Sequence, residues 1–337
     1  MDNINILVTG GCGFIGSNFI SYMLSKHPYN ITNLDKLTYA GNLENLKDIE
    51  HDKRYTFIKG DIASKSDLEK VFETSIDMVV NFAAESHVDR SIIDPDTFIK
   101  TNINGTFNLL EMAKKKAVKK FLQISTDEVY GSLGKEGKFR EDTPLAPNSP
   151  YSASKTSADL LATAYFKTFG MPVLITRCSN NYGPYQFPEK LIPLIITNAL
   201  KDIELPVYGD GMNVRDWIHV LDHCAAIDTV LHKGTVGNVY NVGGESEKAN
   251  IEIVKLILDI LGKPHSLIKY VTDRPGHDRR YAIDQAKIKK ELGFQTNMSF
   301  EKGMEETVKW YIENRSWWER IKSGAYLEYY DMMYKNR

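Results

Sequence analysis

Short apolar runs alternate with longer amphipathic stretches along the first half of the chain. Residues 4–8, 31–34, 55–62, 78–84 and 121–125 have the length and the β-branched or aromatic content of buried strands. Between them, apolar positions recur three and four apart after Gly16, over 66–72 with Ser66 as cap, and over 96–116. The last of these carries Phe98, Ile99, Ile103, Phe107, Leu110 and Met112, with Asn102 facing neighbours that are otherwise apolar. Pro147, Ser149 and Pro150 mark the entry to another helix running through Phe166. This alternation predicts an α/β fold, a Rossmann-type doubly wound parallel sheet spanning residues 1–177.

Beyond residues 173–177 the rhythm changes. Residues 180–191 form a loop dense in turn formers and hydrogen-bonding side chains, too long and polar to serve only as a connector. Helices are expected over 191–201, from Asp222, from a cap at Asn250 to Leu261, and over 287–292, 300–314 and 317–334; short strands are expected near 205–207 and 238–242. Residues 178–337 are therefore read as a smaller mixed α/β substrate-binding domain, with part of 212–245 returning to the first domain.

Composition narrows the class. With 337 residues, 42% of them apolar and 26% charged, the chain is expected to be a soluble globular protein of two domains. A net charge of −2 gives no reason to expect nucleic acid. No apolar run approaches the ~18 residues of a membrane helix. The start, Met-Asp-Asn-Ile-Asn, lacks a signal pattern, so a cytoplasmic location is expected. Cys12, Cys178 and Cys224 are far apart and form no Cys-x-x-Cys, which reads as reduced thiols. His219 and His223 would resemble a metal pair on one helix, but His219 is read as ending a strand and His223 as opening a helix, so no metal is expected.

Two stretches carry candidate chemistry. Gly10, Gly13, Phe14, Ile15 and Gly16 follow the first strand with a Gly-x-x-Gly-x-x-Gly spacing, which lets backbone amides approach a pyrophosphate at a helix start. Asp35 ends the second strand 19 residues after Gly16, where an acid suits the ribose hydroxyls of NAD and repels the extra phosphate of NADP. Asp61 and Ile62 end the third strand near the expected adenine, and Ala83 and Ala84 keep the fourth strand's exit small where backbone must approach the cofactor.

The second stretch is 121–155. Its strand runs into Thr126, Asp127 and Glu128, where open α/β sheets place ligands. Side-by-side carboxylates should titrate apart, one staying protonated as an acid and the other ionised as a base. Tyr151 and Lys155 share one helix face. Stabilising a phenolate at neutral pH takes ~4 kcal/mol, about what one cation at ~4 Å supplies in an effective dielectric of ~20. Lys155, helped by a cationic nicotinamide, is thus expected to make Tyr151 a base. Arg215 and Arg274 lie in turn-rich stretches and suit phosphate.

Taken together, Gly-x-x-Gly-Phe-Ile-Gly, Thr126-Asp-Glu-Val-Tyr-Gly, Tyr151-x-x-x-Lys, the segment 180–191 and Arg274-Pro-Gly-His-Asp resemble the extended short-chain dehydrogenase/reductase superfamily. Within it the adjacent Asp127 and Glu128 are similar to the dTDP-glucose 4,6-dehydratase family, which serves dTDP-rhamnose biosynthesis. The resemblance implies a redox-neutral cycle with NAD as cofactor: C4 oxidation of a nucleotide-linked glucose, C5/C6 elimination of water, and return of the hydride to C6. It implies that Tyr151 with Lys155 acts at C4, Glu128 removes the C5 proton, Asp127 protonates the departing C6 hydroxyl and Thr126 binds the ketone. Ser86, His87, Asn181, Glu189, Lys190 and Leu191 would line the sugar and nucleotide pocket, and Arg215, Asn250 and Arg274 would hold the pyrophosphate. A homodimer through a four-helix bundle, built from 96–116 and 151–169, is also implied. UDP- or CDP-sugar dehydratases, a C4 epimerase and a silent NAD-binding scaffold are the alternatives.

Overall fold

Twelve strands and thirteen α-helices form among residues 4–334, which a computed structural model of the chain describes; Met1–Asn3, part of the stretch read for a signal, lie outside the described residues. The strands are β1 (Asn5–Thr9), β2 (Asn30–Asp35), β3 (Tyr55–Lys59), β4 (Met78–Asn81), β5 (Lys120–Thr126), β6 (Val173–Cys178), β7 (Asn180–Tyr182), β8 (Leu205–Tyr208), β9 (Val214–His219), β10 (Val239–Val242), β11 (Glu247–Ala249) and β12 (Ile268–Val271). The helices are α1 (Phe14–Lys26), α2 (Lys65–Val71), α3 (Val88–Ile93), α4 (Pro95–Phe98), α5 (Thr106–Lys115), α6 (Pro150–Phe169), α7 (Leu191–Ala199), α8 (Val220–Lys233), α9 (Asn250–Leu261), α10 (Ala286–Leu292), α11 (Phe300–Glu313), α12 (Arg315–Ile321) and α13 (Ala325–Tyr334).

Seven strands form one sheet in the order β10-β6-β5-β4-β1-β2-β3, with every pairing parallel. The expected doubly wound α/β sheet is present. Strands buried on both faces need apolar residues at odd and even positions, and β1 shows why. Ile6 and Val8 pack on one face with Phe19 and Ile20 of α1 and Ile227 of α8, while Leu7 packs on the other with Leu109 of α5 and Phe121 of β5. A third core, around Ile195, Trp217, Ile257 and Trp318, holds the smaller layer built from α7, α9, α11 and α12.

Several boundaries differ from the sequence reading. Ser64 rather than Ser66 caps α2, accepting from the Asp67 amide. Ala249 occupies the cap position of α9 and donates its amide to Glu252, so Asn250 is already inside the helix. His219 caps α8, which begins at Val220 instead of Asp222. The expected helix over 96–116 starts at Pro95 and is interrupted by a π-helical segment, Ile99–Gly105. The wider turn aims Asn102 into the protein: it is buried, accepts from the Glu85 amide at 2.8 Å and donates to Ser154 Oγ at 2.8 Å.

One buried ion pair fastens α6 to the sheet. Arg177 Nε donates to Asp159 at 2.9 Å, with side chains only 6% and 1% exposed. Asp159→Asn leaves a buried guanidinium without its counter-charge, and we expect it to cost about 3 kcal/mol in urea unfolding. A loss below ~1 kcal/mol would contradict that account.

Candidate active site

The carboxyl ends of β1, β2, β4 and β5 open onto one cleft of about 300 Å³. Gly10, Gly13, Phe14, Ile15, Gly16, Asp35, Asp61, Ile62, Ala83 and Ala84 all line it, as do Ser86, Thr126, Glu128, Tyr151, Lys155, Asn181, Glu189 and Lys190. Asp127, His87, Leu191, Arg215, Asn250 and Arg274 lie outside that wall.

The glycine turn is shaped by contact. Gly10 adopts φ +70°, and a Cβ there would sit 2.7 Å from Ala83 Cα; one at Gly16 would sit 2.4 Å from the Gly10 carbonyl. Helix α1 then starts at a Gly13 cap with no side-chain capping bond and no acidic residue in its first turn. Its first amides face the cleft without intrahelical acceptors, which suits a pyrophosphate. Asp35 accepts from the Cys12 and Leu37 amides at 2.8 and 2.7 Å, so its carboxylate is held rigidly at the cleft edge. These features fit an NAD-sized dinucleotide. Gly10→Ala adds backbone strain of about 1–3 kcal/mol to a close approach. We expect the purified variant to lose bound NAD, read as a fall in absorbance at 260 nm relative to 280 nm. Unchanged retention would count against this turn as the pyrophosphate cradle.

Asp127 and Glu128 form the first turn of a short 3-10 helix at the end of β5, where the Thr126 hydroxyl caps the Glu128 amide. Asp127 is 2% exposed; one of its oxygens meets Thr126 Oγ1 at 3.2 Å and the other has no partner. Burial, then the Glu128 charge, push its carboxyl well above the usual range. Burial also raises Glu128, but Arg274, Lys190 and Arg215 draw it back down. The two acids therefore sit in unequal fields.

Helix α6 opens with a reciprocal Ser149–Ser152 capping box, which places Tyr151 and Lys155 on its first turns. Contrary to the simple pair expected from spacing, Lys155 Nζ donates to the Ile124 carbonyl at 2.7 Å. Burial and Glu128 raise the Tyr151 phenol well above its ordinary value, while burial lowers Lys155.

The remaining candidates gather beyond Glu128. Arg215 stacks on Tyr281 and donates to the Val214 and Asp278 carbonyls. Arg274 pairs with Asp89 at 3.3 Å and keeps a buried Nε without a partner. Asn250 donates its amide to Asn213, two residues before Arg215, and its Oδ1 is buried without a partner. Lys190 donates to the Ser86 carbonyl, and His87, kept neutral first by burial and then by Lys190, occupies the cap position of α3 without a side-chain capping bond. Leu191 opens α7 and packs against the third core. Asn181 has its side chain engaged inside the protein, by His223 Nδ1 at 2.9 Å and the Ser179 carbonyl. His219 and His223 thus serve different partners.

Sequence reasoning missed Arg90, Asp89 and Tyr39, and undervalued Asn102. Asp89 and Arg90 stand two and three residues after His87, so a polar run already singled out was the available signal. Nothing in the local pattern distinguishes Tyr39.

The chain is similar to known proteins over nearly its whole length. Residues 7–307 match the GDP-mannose 4,6 dehydratase family. A dTDP-glucose 4,6-dehydratase of Xanthomonas campestris pv. campestris (strain B100) is 54% identical, covering 95% of this chain and 96% of that protein. A Bacillus anthracis dTDP-glucose 4,6-dehydratase solved in complex with NAD is 58% identical with a TM-score of 0.89, covering 95% of this chain and 100% of the other. A Streptomyces venezuelae dTDP-glucose 4,6-dehydratase solved with NAD and TYD bound is 49% identical with a TM-score of 0.93, again covering 95% and 100%. Matched over nearly its whole length by such relatives, and carrying the acid pair beside the phenol, this chain belongs to the dTDP-glucose 4,6-dehydratase family of extended short-chain dehydrogenase/reductases.

Proposed function

We propose that the protein is an NAD-dependent hydro-lyase converting dTDP-glucose to dTDP-4-keto-6-deoxyglucose and water. The observation that carries this reading is the acid pair in unequal fields, with Glu128 and Tyr151 in the wall of one cleft. Bound NAD would supply a reversible hydride acceptor, holding the C4 hydride until it returns to C6 after water is lost, with Glu128 giving the proton back to C5. Tyr151 accepts the proton of the C4 hydroxyl, and Thr126, beside it, hydrogen-bonds the resulting ketone oxygen. The ketone acidifies the C5 proton, which Glu128 removes. Asp127, kept protonated by burial, donates to the departing C6 hydroxyl. Asp35 holds the adenosine ribose, and Asp61 lies near the adenine. The unpartnered Nε of Arg274, a donor, supports a pyrophosphate there, with Arg215 and Asn250 assigned to the same group; Ser86, His87, Glu189, Lys190 and Leu191 frame the sugar and nucleotide.

Incubation with dTDP-, UDP- and CDP-glucose, scoring water loss by mass spectrometry, tests the reading. Turnover of dTDP-glucose is expected to be fastest. A preference for UDP- or CDP-glucose, or epimerisation without water loss, would replace it.

The same reading includes two domains divided near residue 177, with part of 212–245 returning to the first domain, a cytoplasmic location and a homodimer. Exposed apolar side chains on the helices named for the bundle support the dimer: Ile99, Phe107, Leu160 and Phe169. Among the described residues no helix is long and apolar enough to cross a membrane.

A further inference from the structure

Arg90, on α3, touches three separate parts of the chain. Its Nε and Nη2 both donate to Glu189 Oε2, at 3.0 and 2.9 Å, and the Glu189 carboxylate is only 3% exposed. Its guanidinium carbon lies 3.9 Å from the centre of the Tyr39 ring and 4.0 Å from that of Tyr329. Two rings cannot share one face at such distances, so the planar group is stacked between them. Tyr39 and Glu189 both line the cleft, whereas Tyr329 belongs to α13 and does not. The Tyr329 hydroxyl is 3.3 Å from His87 Nδ1, and Tyr326, one turn earlier on α13, donates to the Pro188 carbonyl at 3.0 Å.

We propose that Arg90 is a positioning residue that ties the cofactor wall at Tyr39 to the C-terminal helix at Tyr329, holding the NAD and nucleotide-sugar pockets in register. It acts on the reaction only through these neighbours. A lysine would keep the charge opposite Glu189 but has no plane for two rings to cover, so charge and stacking can be separated. The cofactor part of the proposal stands on geometry alone, and only the substrate part rests on the dTDP-glucose reading.

The test compares NAD affinity, by calorimetry on cofactor-stripped protein, in wild type, Arg90→Lys, Arg90→Met, Tyr329→Ala and the double variant Arg90→Met/Tyr329→Ala. Tyr329→Ala should weaken NAD about threefold or more although its ring is outside the cleft, and should add nothing once Arg90 is Met. Arg90→Lys should recover the thermal midpoint, by restoring the counter-charge, but not the NAD affinity. The KM for dTDP-glucose should rise several-fold in Arg90→Lys while kcat changes much less, because Asp127, Glu128 and Tyr151 are untouched. NAD affinity indifferent to Tyr329→Ala, or losses that simply add in the double variant, would overturn the proposal. If wild type does not turn over dTDP-glucose, the substrate reading fails and the NAD comparison still decides the role of Arg90.

Discussion

Tyr151→Phe is expected to lower dTDP-glucose turnover by about 10²–10⁴-fold, the usual worth of a positioned acid–base group, while leaving bound NAD in place. The phenol sits at the second position of α6, against Phe98, Val88 and the Thr126 turn. Only its hydroxyl is lost, so folding should be spared. The structure also sharpens what Lys155 can do. Its ammonium rests on the Ile124 carbonyl, and burial with Glu128 raises the phenol, so the lysine alone does not offset desolvation. A base of this kind depends on the cationic ring of bound NAD as well. Rapid-mixing absorbance at 340 nm checks the point: a reduced-cofactor transient forming at the wild-type rate in the variant would remove Tyr151 from the first step.

Asp127→Asn should separate two steps that the intact enzyme runs together. Glu128 can still take the C5 proton, so deuterium from solvent should enter C5, while water loss slows by about 10²–10³-fold. Glu128→Gln should abolish exchange and, because the C5 proton must leave before the C6 hydroxyl can, slow water loss with it. Mass spectrometry in deuterated water follows both, and water loss at the wild-type rate in Asp127→Asn would exclude the acid role. The pH dependence follows from the same fields. Glu128 is raised above the ordinary carboxylate value, so its base form is lost as pH falls through that raised value. Asp127 is raised further by burial and by Glu128, so its proton is lost only as pH rises higher. Wild-type turnover should be bell-shaped, with macroscopic limits belonging to the pair, and the alkaline limb should vanish in Asp127→Asn.

The parallel sheet was readable because burial on both faces forces near-continuous apolar runs such as Ile6-Leu7-Val8, and alternation with amphipathic helices leaves few other architectures. The dinucleotide turn was readable because close backbone approach demands glycine, as the 2.7 Å limit at Gly10 shows. Caps were less readable: the pattern pointed to Ser66, whereas the Asp67 amide donates to Ser64, two residues earlier.

What the chain's pattern determined by itself was the local chemistry: strand, turn, helix, an acid pair at a strand end and a phenol one turn before a lysine. These depend on neighbours within a few residues, whose periodicity and side-chain types are written in order. Tertiary structure decided where charges meet across long separations. Arg90 finds Glu189 and Tyr329, Asn102 finds Glu85 and Ser154 through a π-helical turn, and Asp127 is left buried while Glu128 faces three cations. Such pairings follow from how packed layers bring distant loops together, and a carboxyl's proton affinity is set by that surrounding field rather than by its place in the chain.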